Sequence, residues 1–337
     1  MEGKENVYPF EIKRVSLEQA GRNERNGFTE KVSEHSKYFI RTGPHGYLMP
    51  QALEPYLPKI YNMDIRSDDV FILTFPRSGT TWTQELVWLV ANDFDYEIAR
   101  TVRIDERFPN LNPVNLPKLA SEAKFNIDSA NSLKNTAYDL ISRMSSPRFI
   151  KCHIPLSLLP PGILDKAKMV YVARDPRDVV VSYYHYHRFL TLRAFNGDFK
   201  TFWNLFRNDL VEYGPYFAHV KEAWLLRNHP NMLFIFYEEL TKDMPSVIRR
   251  VANFLGKTVT ENQIGALCEH LKFDNLRKNK SVNKEDLKEE GIIAKDMNFI
   301  RKGKVGDWRD YFDEEMRKAA EAWMEEGLRG IDFKFPY

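Results

Sequence analysis

Val70 to Val90 reads VFILTFPRSGTTWTQELVWLV, and this one run offers a buried strand, a tight turn and an amphipathic helix. Val70, Phe71, Ile72, Leu73 and Phe75 are apolar, aromatic or β-branched, the pattern of a strand covered on both faces. Pro76 stops the ladder. From Thr80 the apolar positions Trp82, Leu86, Leu89 and Val90 fall at i, i+4, i+7 and i+8, so the spacing predicts a helix with one buried face. Between the two, Arg77-Ser78-Gly79-Thr80-Thr81 supplies small residues, hydroxyls and one guanidinium where a helix leaves its first N–H groups without partners. A phosphate or sulfate suits such a turn.

The nucleoside-triphosphate P-loop, GxxxxGK[ST], is the natural comparison. With Gly79 on its second glycine, Thr74 stands where the first glycine belongs, Thr80 where the lysine belongs and Thr81 on the magnesium-holding hydroxyl. Two defining residues are missing, and the basic charge has moved to Arg77. The loop is P-loop-like but not a Walker A, and an ordinary strand-to-helix turn stays open as a reading of this stretch alone.

Further strands and helices follow in alternation. Arg148 to Ile154 (RFIKCHI) predicts a second strand, with Lys151 and His153 two residues apart on one face at its carboxyl end, the ligand side of an open α/β sheet. Met169 to Ala173 predicts a third. Arg174-Asp175-Pro176-Arg177-Asp178 is its exit turn, and a helix begins near Asp178, so Arg174 and Ser182 flank a second candidate anion site. A solvated charged turn is the plain alternative there. Met232 to Tyr237 (MLFIFY) is nearly all apolar, which predicts a central strand. Lys242 to Leu255 carries Val247, Ile248, Val251, Ala252, Phe254 and Leu255 at helical spacing, with Gly256 as its stop. Another helix is expected from about Glu314 to Leu328. The fold class that results is α/β: a single-domain, P-loop-like parallel sheet flanked by helices on both faces.

Residues 1 to about 65 are polar, with turn signals at Thr42-Gly43-Pro44 and Gly46, and read as an N-terminal arm and cover that belongs to the same domain. Residues 66–337 form the α/β domain proper. Within it, 92–147 is rich in Asn, Asp and Pro and reads as a substrate-side insertion. Across the 337 residues, 49 Lys and Arg against 47 Asp and Glu leave a formal charge of +2, so no nucleic-acid or membrane partner follows from the balance, and any anion site is local. Cys152 and Cys268 show neither a disulfide framework nor zinc spacing. No apolar run reaches the ~18 residues of a membrane span. A soluble cytoplasmic protein is expected. Near the C-terminus, Arg301-Lys302-Gly303-Lys304-Val305-Gly306 joins two glycines to three cations, a loop able to wrap a phosphate or simply a solvated basic loop.

Four separated blocks together resemble the cytosolic sulfotransferases, which move a sulfuryl group from 3'-phosphoadenosine 5'-phosphosulfate (PAPS) to an alcohol, phenol or amine. Thr74 to Trp82 resembles the family's 5'-phosphosulfate loop, with Arg77 in place of its lysine. Lys151-Cys152-His153-Ile154-Pro155 resembles its KTHLP strand, which carries the catalytic histidine. Arg174 and Ser182 match its 3'-phosphate arginine and serine, and Arg301-Lys302-Gly303 with Gly306-Asp307-Trp308 matches its RKGxxGDW loop. The resemblance implies that Arg77, Ser78, Gly79, Thr80, Thr81 and Trp82 bind the 5'-phosphosulfate and the adenine side. It implies that Arg174, Ser182, Arg301, Lys302 and Gly303 hold the 3'-phosphate, and that Tyr237 and Phe273 contact the adenine. Leu271 stands where the family has a hydroxyl residue near the adenine. Asp313-Glu314 replace the Thr-Val of the usual dimer motif, so that dimer is not carried over.

On this reading His153 is the general base, since an unperturbed imidazole titrates near ~6.5 and can accept the acceptor's proton. Lys151 and Arg77 supply charge at the departing nucleotide, 3'-phosphoadenosine 5'-phosphate (PAP). No metal is required. Arg77, the TQELVWL helix segment and the run from Arg301 to Met316 also resemble the insect branch that includes retinol dehydratase, which sulfonates an allylic alcohol and then eliminates sulfate. A P-loop small-molecule kinase and a non-catalytic nucleotide-binding module stay open beside the sulfotransferase reading. The aromatic run Tyr183, Tyr184, His185, Tyr186 and Phe189, with Phe108, lines either an acceptor pocket or the core.

Overall fold

The computed structural model describes residues 7–112, 137–190, 193–289 and 292–336. Within the polar N-terminal stretch it contains three short strands, β1 (Lys13–Ser16), β2 (Tyr38–Thr42) and β3 (Tyr47–Pro50), which form a small antiparallel sheet in that order. Composition did not suggest these strands, because each is only four or five residues long and the stretch around them is polar. The turn signals were informative: Gly43 and Gly46, both at positive φ, make the β2–β3 hairpin turn. β3 also ties this sheet to the rest of the molecule. Leu48 N donates to the Gly214 carbonyl at 2.9 Å and Tyr213 N to the Leu48 carbonyl at 2.7 Å.

The main sheet is parallel. β4 (Val70–Thr74) pairs with β5 (Phe149–Cys152) on one side and β6 (Lys168–Ala173) on the other, and β6 pairs with β7 (Met232–Phe236), so the order is β5-β4-β6-β7. Alternate side chains of β4 enter different cores, as the period of a strand requires. Val70 and Ile72 join the helices Thr80–Ala91, Met244–Leu255 and Glu261–His270, whereas Phe71, Leu73 and Phe75 join the helices Pro176–Phe189, Phe199–Arg207 and Tyr216–Leu225. Helices therefore cover both faces, as the alternation of elements predicts.

Several local expectations need correction. β7 is the edge strand of this sheet and not a central one. Its apolar character is used by aromatic packing instead: Phe234 lies 5.0 Å from Trp224 and Phe236 5.6 Å from Phe333, ring centre to ring centre, so the C-terminal tail covers the edge. Tyr237 leaves the strand and begins a short helix, Tyr237–Lys242, and Asp243 caps the separate helix Met244–Leu255. The Thr80–Ala91 helix buries Thr83 through Val90 on nearly every side, so it is a core helix and not one with a single buried face. Its polar members are matched internally. Glu85 receives Arg107 and His270, each at 2.7 Å, with all three side chains buried. Of the 92–147 stretch, residues 113–136 lie outside the described residues, and the rest holds the helices Tyr96–Thr101, Ile104–Arg107 and Ala137–Arg143.

No helix among the described residues is long and apolar enough to cross a membrane. Nor does any group of three or more His, Cys, Asp or Glu among them stand where it could hold a metal ion.

Candidate active site

All the strands of the main sheet point their carboxyl ends at one cavity of about 210 Å³. The turn after β4 forms its floor. Gly79, the N-cap of the Thr80–Ala91 helix, has φ 103°, and a Cβ there would come within 2.6 Å of the Tyr237 ring. Only glycine serves both demands. Arg77 also lies at positive φ, 72°, an uncommon conformation for a side-chain-bearing residue. Ser78 is fully buried, and its Oγ has no hydrogen-bond partner among the described residues. Buried hydroxyls are seldom left unpaired, so this donor fits an anion seated in the turn. Thr80 Oγ1 lies 2.7 Å from Thr74 Oγ1, while Thr81 and Trp82 reach the cavity wall.

Next along the sheet, β5 delivers Lys151 and His153. Residues 109–111 pair with the outer edge of β5 through Lys151 N to the Pro109 carbonyl, 2.9 Å, and Leu111 N to the Lys151 carbonyl, 2.8 Å. That bridge brings Asn110 and Asn112 into the wall, two residues the sequence reading missed for want of any motif. His153 is fixed on several sides. Its Nδ1–H donates to the Thr74 carbonyl at 2.9 Å, and its backbone N donates to Asn112 Oδ1 at 3.1 Å. His219 Nε2 donates to its carbonyl at 3.1 Å. A carbonyl can only accept, so the proton sits on Nδ1 and Nε2 keeps its lone pair. Burial, reinforced by the Lys151 charge, holds the imidazole well below its ordinary value of 6.5, so the neutral form prevails at neutrality.

Lys151 is pulled down to about 8, first by burial and then by the Lys284 ammonium. Lys284 is another cavity residue that the sequence reading missed. It pairs with Asp105, 3.0 and 3.2 Å from the two carboxylate oxygens. Burial opposes the charge on Asp105, but Lys284, Lys151 and Arg103 outweigh it and keep the carboxyl below its usual range.

Arg77 is lowered to about 10, chiefly by burial, with Arg174 and Arg301 pushing the same way, so it stays charged at neutrality. Its guanidinium lies between the rings of Tyr186 and Phe299, 5.0 Å from each centre, and donates to Ser182 Oγ at 3.2 Å and to the Phe299 carbonyl at 3.4 Å. It is thus engaged with a residue expected at the 3'-phosphate. Arg174 lies 4.0 Å over the Tyr237 ring, donates to the Arg77 and Lys304 carbonyls at 3.2 Å each, and keeps a buried Nε with no partner among the described residues. The helix that follows is capped by its own Asp175, whose carboxylate takes the Arg177 N–H at 2.9 Å. An anion here would therefore meet Arg174 and Ser182 and not the helix amides.

The basic loop closes the far end. Asp178 accepts from Gly306 N at 2.7 Å and Trp308 N at 3.0 Å, which ties the loop to the Pro176–Phe189 helix. Arg301 and Lys302 both pair with Asp307, at 2.6 and 3.0 Å. Gly303 has φ 65°, and a Cβ there would meet the Phe273 ring at 2.3 Å. Phe273, Trp82 and Tyr237 make an aromatic corner, with Trp82 5.6 Å from Tyr237 and 6.5 Å from Phe273. Leu271 is buried, and its carbonyl accepts from Trp82 Nε1 at 3.1 Å, so it holds the corner through backbone.

Each residue expected in the site therefore borders this cavity except Ser78, which lies buried in the turn beneath it. The aromatic run divides. Tyr183 and Tyr186 reach the cavity, Phe108 and Tyr184 are core, and His185 and Phe189 face a neighbouring hollow of about 230 Å³ beyond Arg77. Such a cavity can hold a nucleotide with two anionic ends beside an aromatic corner, and it presents a neutral imidazole between cations.

Comparison with known proteins yields a consistent set of matches. The family model described as the sulfotransferase domain matches residues 67–332. The chain is 34% identical over 282 residues to luciferin sulfotransferase of Photinus pyralis, covering 82% of this chain and 75% of that one. With sulfotransferase 1B1 of Mus musculus it shares 31% over 292 residues, 86% of this chain and 93% of the relative. Among solved structures, retinol dehydratase in complex with retinol and PAP is similar with a TM-score of 0.87 at 40% identity, covering 98% of this chain and 100% of that chain.

Proposed function

This chain belongs to the sulfotransferase family, whose members use PAPS as sulfuryl donor, and from that premise we propose that it transfers the group to the hydroxyl of a small phenol or alcohol, with His153 as general base. The observation that carries the assignment of the base is the Nδ1–H bond to the Thr74 carbonyl, which leaves a proton-free Nε2 in a buried, cation-rich wall. The donor supplies an activated sulfuryl group; what the protein does is position and stabilise charge. Arg174, Ser182, Arg301, Lys302 and Gly303 are proposed for the 3'-phosphate. Ser78, Gly79, Thr80 and Thr81 are proposed for the phosphosulfate, and Trp82, Tyr237 and Phe273 for the adenine. Ser78 Oγ and Arg174 Nε, which have no partner among the described residues, support this division, because each has a hydrogen bond to offer an anion.

His153 takes the acceptor's hydroxyl proton as the oxygen attacks, and Lys151 stabilises charge on the oxygens around the transferring group. Arg77 acts on the departing nucleotide by charge and not by giving up a proton, since a guanidinium effectively never does so. An Arg77→Lys enzyme is accordingly expected to change turnover or its pH profile; unaltered values in both would remove the distinction. For the assignment as a whole, transfer of radiolabelled sulfate from PAPS to phenols, catechols and alcohols should be measured with His153→Ala alongside. The variant should lose at least about a hundredfold in turnover while retaining PAP binding. Turnover equal to wild type would exclude His153 as the base.

A second reading follows from the 40% identity to retinol dehydratase along nearly the whole chain: sulfonation of an allylic alcohol followed by loss of sulfate. Retinol in the same assay separates the two, because elimination releases free sulfate and a less polar organic product whereas simple transfer yields a labelled ester. Residues 66–337 are proposed as the catalytic domain, 92–147 as its substrate-side insertion and 1–65 as a cover. The free thiols Cys152 and Cys268 support a cytoplasmic location.

A further inference from the structure

No Asp or Glu lines the main cavity among the described residues, while Lys and Arg recur around it. The nucleotide accounts for Arg77, Arg174, Arg301 and Lys302 on the reading above, and Lys151 serves the reacting group. Lys304 is mostly exposed and turns to Asp310. Two cations are left on the His153 side, Lys284 and Arg193. Arg193 is bound to the buried carboxylate of Glu212. Lys284 is held less completely. Its side chain is 18% exposed, and the Asp105 carboxylate behind it is shared with Arg103 at 3.7 Å. An ammonium has three N–H groups spread about the nitrogen, and Asp105, which reaches it with both oxygens of one carboxylate from one side, cannot take all of them. The Phe299 ring lies 5.2 Å from Nζ, too diffuse a partner to satisfy a full N–H.

We propose that the acceptor carries, beside the hydroxyl that reacts, a second acidic group such as a carboxylate or an ionised phenol, and that Lys284 binds it. This rests on the sulfuryl-transfer reading. The ring of such an acceptor would lie among Tyr186, Tyr213 and Phe299, which all border the same cavity. A wholly apolar acceptor would strip water from Lys284 and return nothing for it, whereas an acid replaces that water with a charge-assisted hydrogen bond. Asp105 competes with that acid, because it already takes part of the ammonium's hydrogen-bonding capacity.

The test compares two acceptors with one ring and one hydroxyl, 4-hydroxyphenylpropionate and its methyl ester, in wild type, Lys284→Asn and Asp105→Asn. Asparagine suits position 284 because φ there is 58°. Wild type should favour the acid in kcat/KM by about ten- to hundredfold. Lys284→Asn should bring that ratio close to one. Asp105→Asn, which frees the ammonium, should raise it. Binding of both compounds to the PAP complex is measured by calorimetry in parallel. If nothing is sulfonated but the acid still binds more tightly and Lys284→Asn abolishes the difference, the transfer reading fails and the role of Lys284 stands. If wild type sulfonates both equally, or Lys284→Asn keeps the wild-type ratio, the role of Lys284 falls and the transfer reading stands. Should Lys284→Asn fail to fold, an unchanged or lower ratio in Asp105→Asn overturns the proposal by itself.

Discussion

Lys151 and His153 show how burial changes the chemistry of residues that a motif can only name. Both are pushed toward their neutral forms, His153 well below 6.5 and Lys151 to about 8. The directions set the pH window. On the proposed mechanism the imidazole is available as the base above its lowered pKa, and the lysine keeps its charge below about 8. The profile of kcat/KM should therefore be flat through neutrality and fall as the pH rises past about 8. Lys151→Arg keeps its charge across that range, so the alkaline fall should disappear in the variant even if its maximum is lower. A fall that persists in Lys151→Arg assigns it to another group. Lys151 and His153 were legible in the sequence because two residues apart on a strand means one face. Asn110, Asn112 and Lys284 were not, since each reaches the wall from a separate segment with no recognisable pattern.

At the scale of elements, the loop from Arg301 to Trp308 takes its shape from a helix more than a hundred residues earlier in the chain. Asp178 accepts two buried N–H groups of that loop. Asp178→Ala leaves both without a partner, and PAP affinity should weaken about ten- to hundredfold by calorimetry, the scale of a lost hydrogen bond to a charged group. An unchanged affinity would mean that Arg301 and Lys302 hold the loop through Asp307 alone. The glycines on either side of the aromatic corner act similarly: Gly79 and Gly303 let Tyr237 and Phe273 approach backbone that a side chain would block. Both glycines and both rings were named from the sequence, but the packing of each ring against its glycine was not visible there.

For the whole molecule, the cavity walls come from every strand end of the main sheet and from the C-terminal loop, so on the proposed function nucleotide binding should stabilise the entire fold. PAP at about a hundred times its Kd is expected to add about 2.7 kcal/mol and to raise Tm by a few degrees. ATP with magnesium should raise it much less; an equal or larger rise would favour the kinase reading over sulfuryl transfer. The small N-terminal sheet belongs at this scale too, because β3 is hydrogen-bonded to the segment carrying Tyr213, whose OH accepts from Asn112 at 2.8 Å behind His153.

The sequence by itself determined the parallel α/β fold, the family and the motif residues that border the cavity. It could do so because those features are local: a strand, its turn and the following helix are contiguous, and periodicity and turn chemistry record them directly. Only the tertiary structure decided that β7 lies at the sheet edge, that the Thr80–Ala91 helix is buried almost all round, that Arg77 reaches toward Ser182 and that Lys284 faces the same cavity as His153. Each of these depends on which distant segment fills a neighbouring space. Hydrophobicity along the chain says that a side chain will be covered or a charge paired, but not by what.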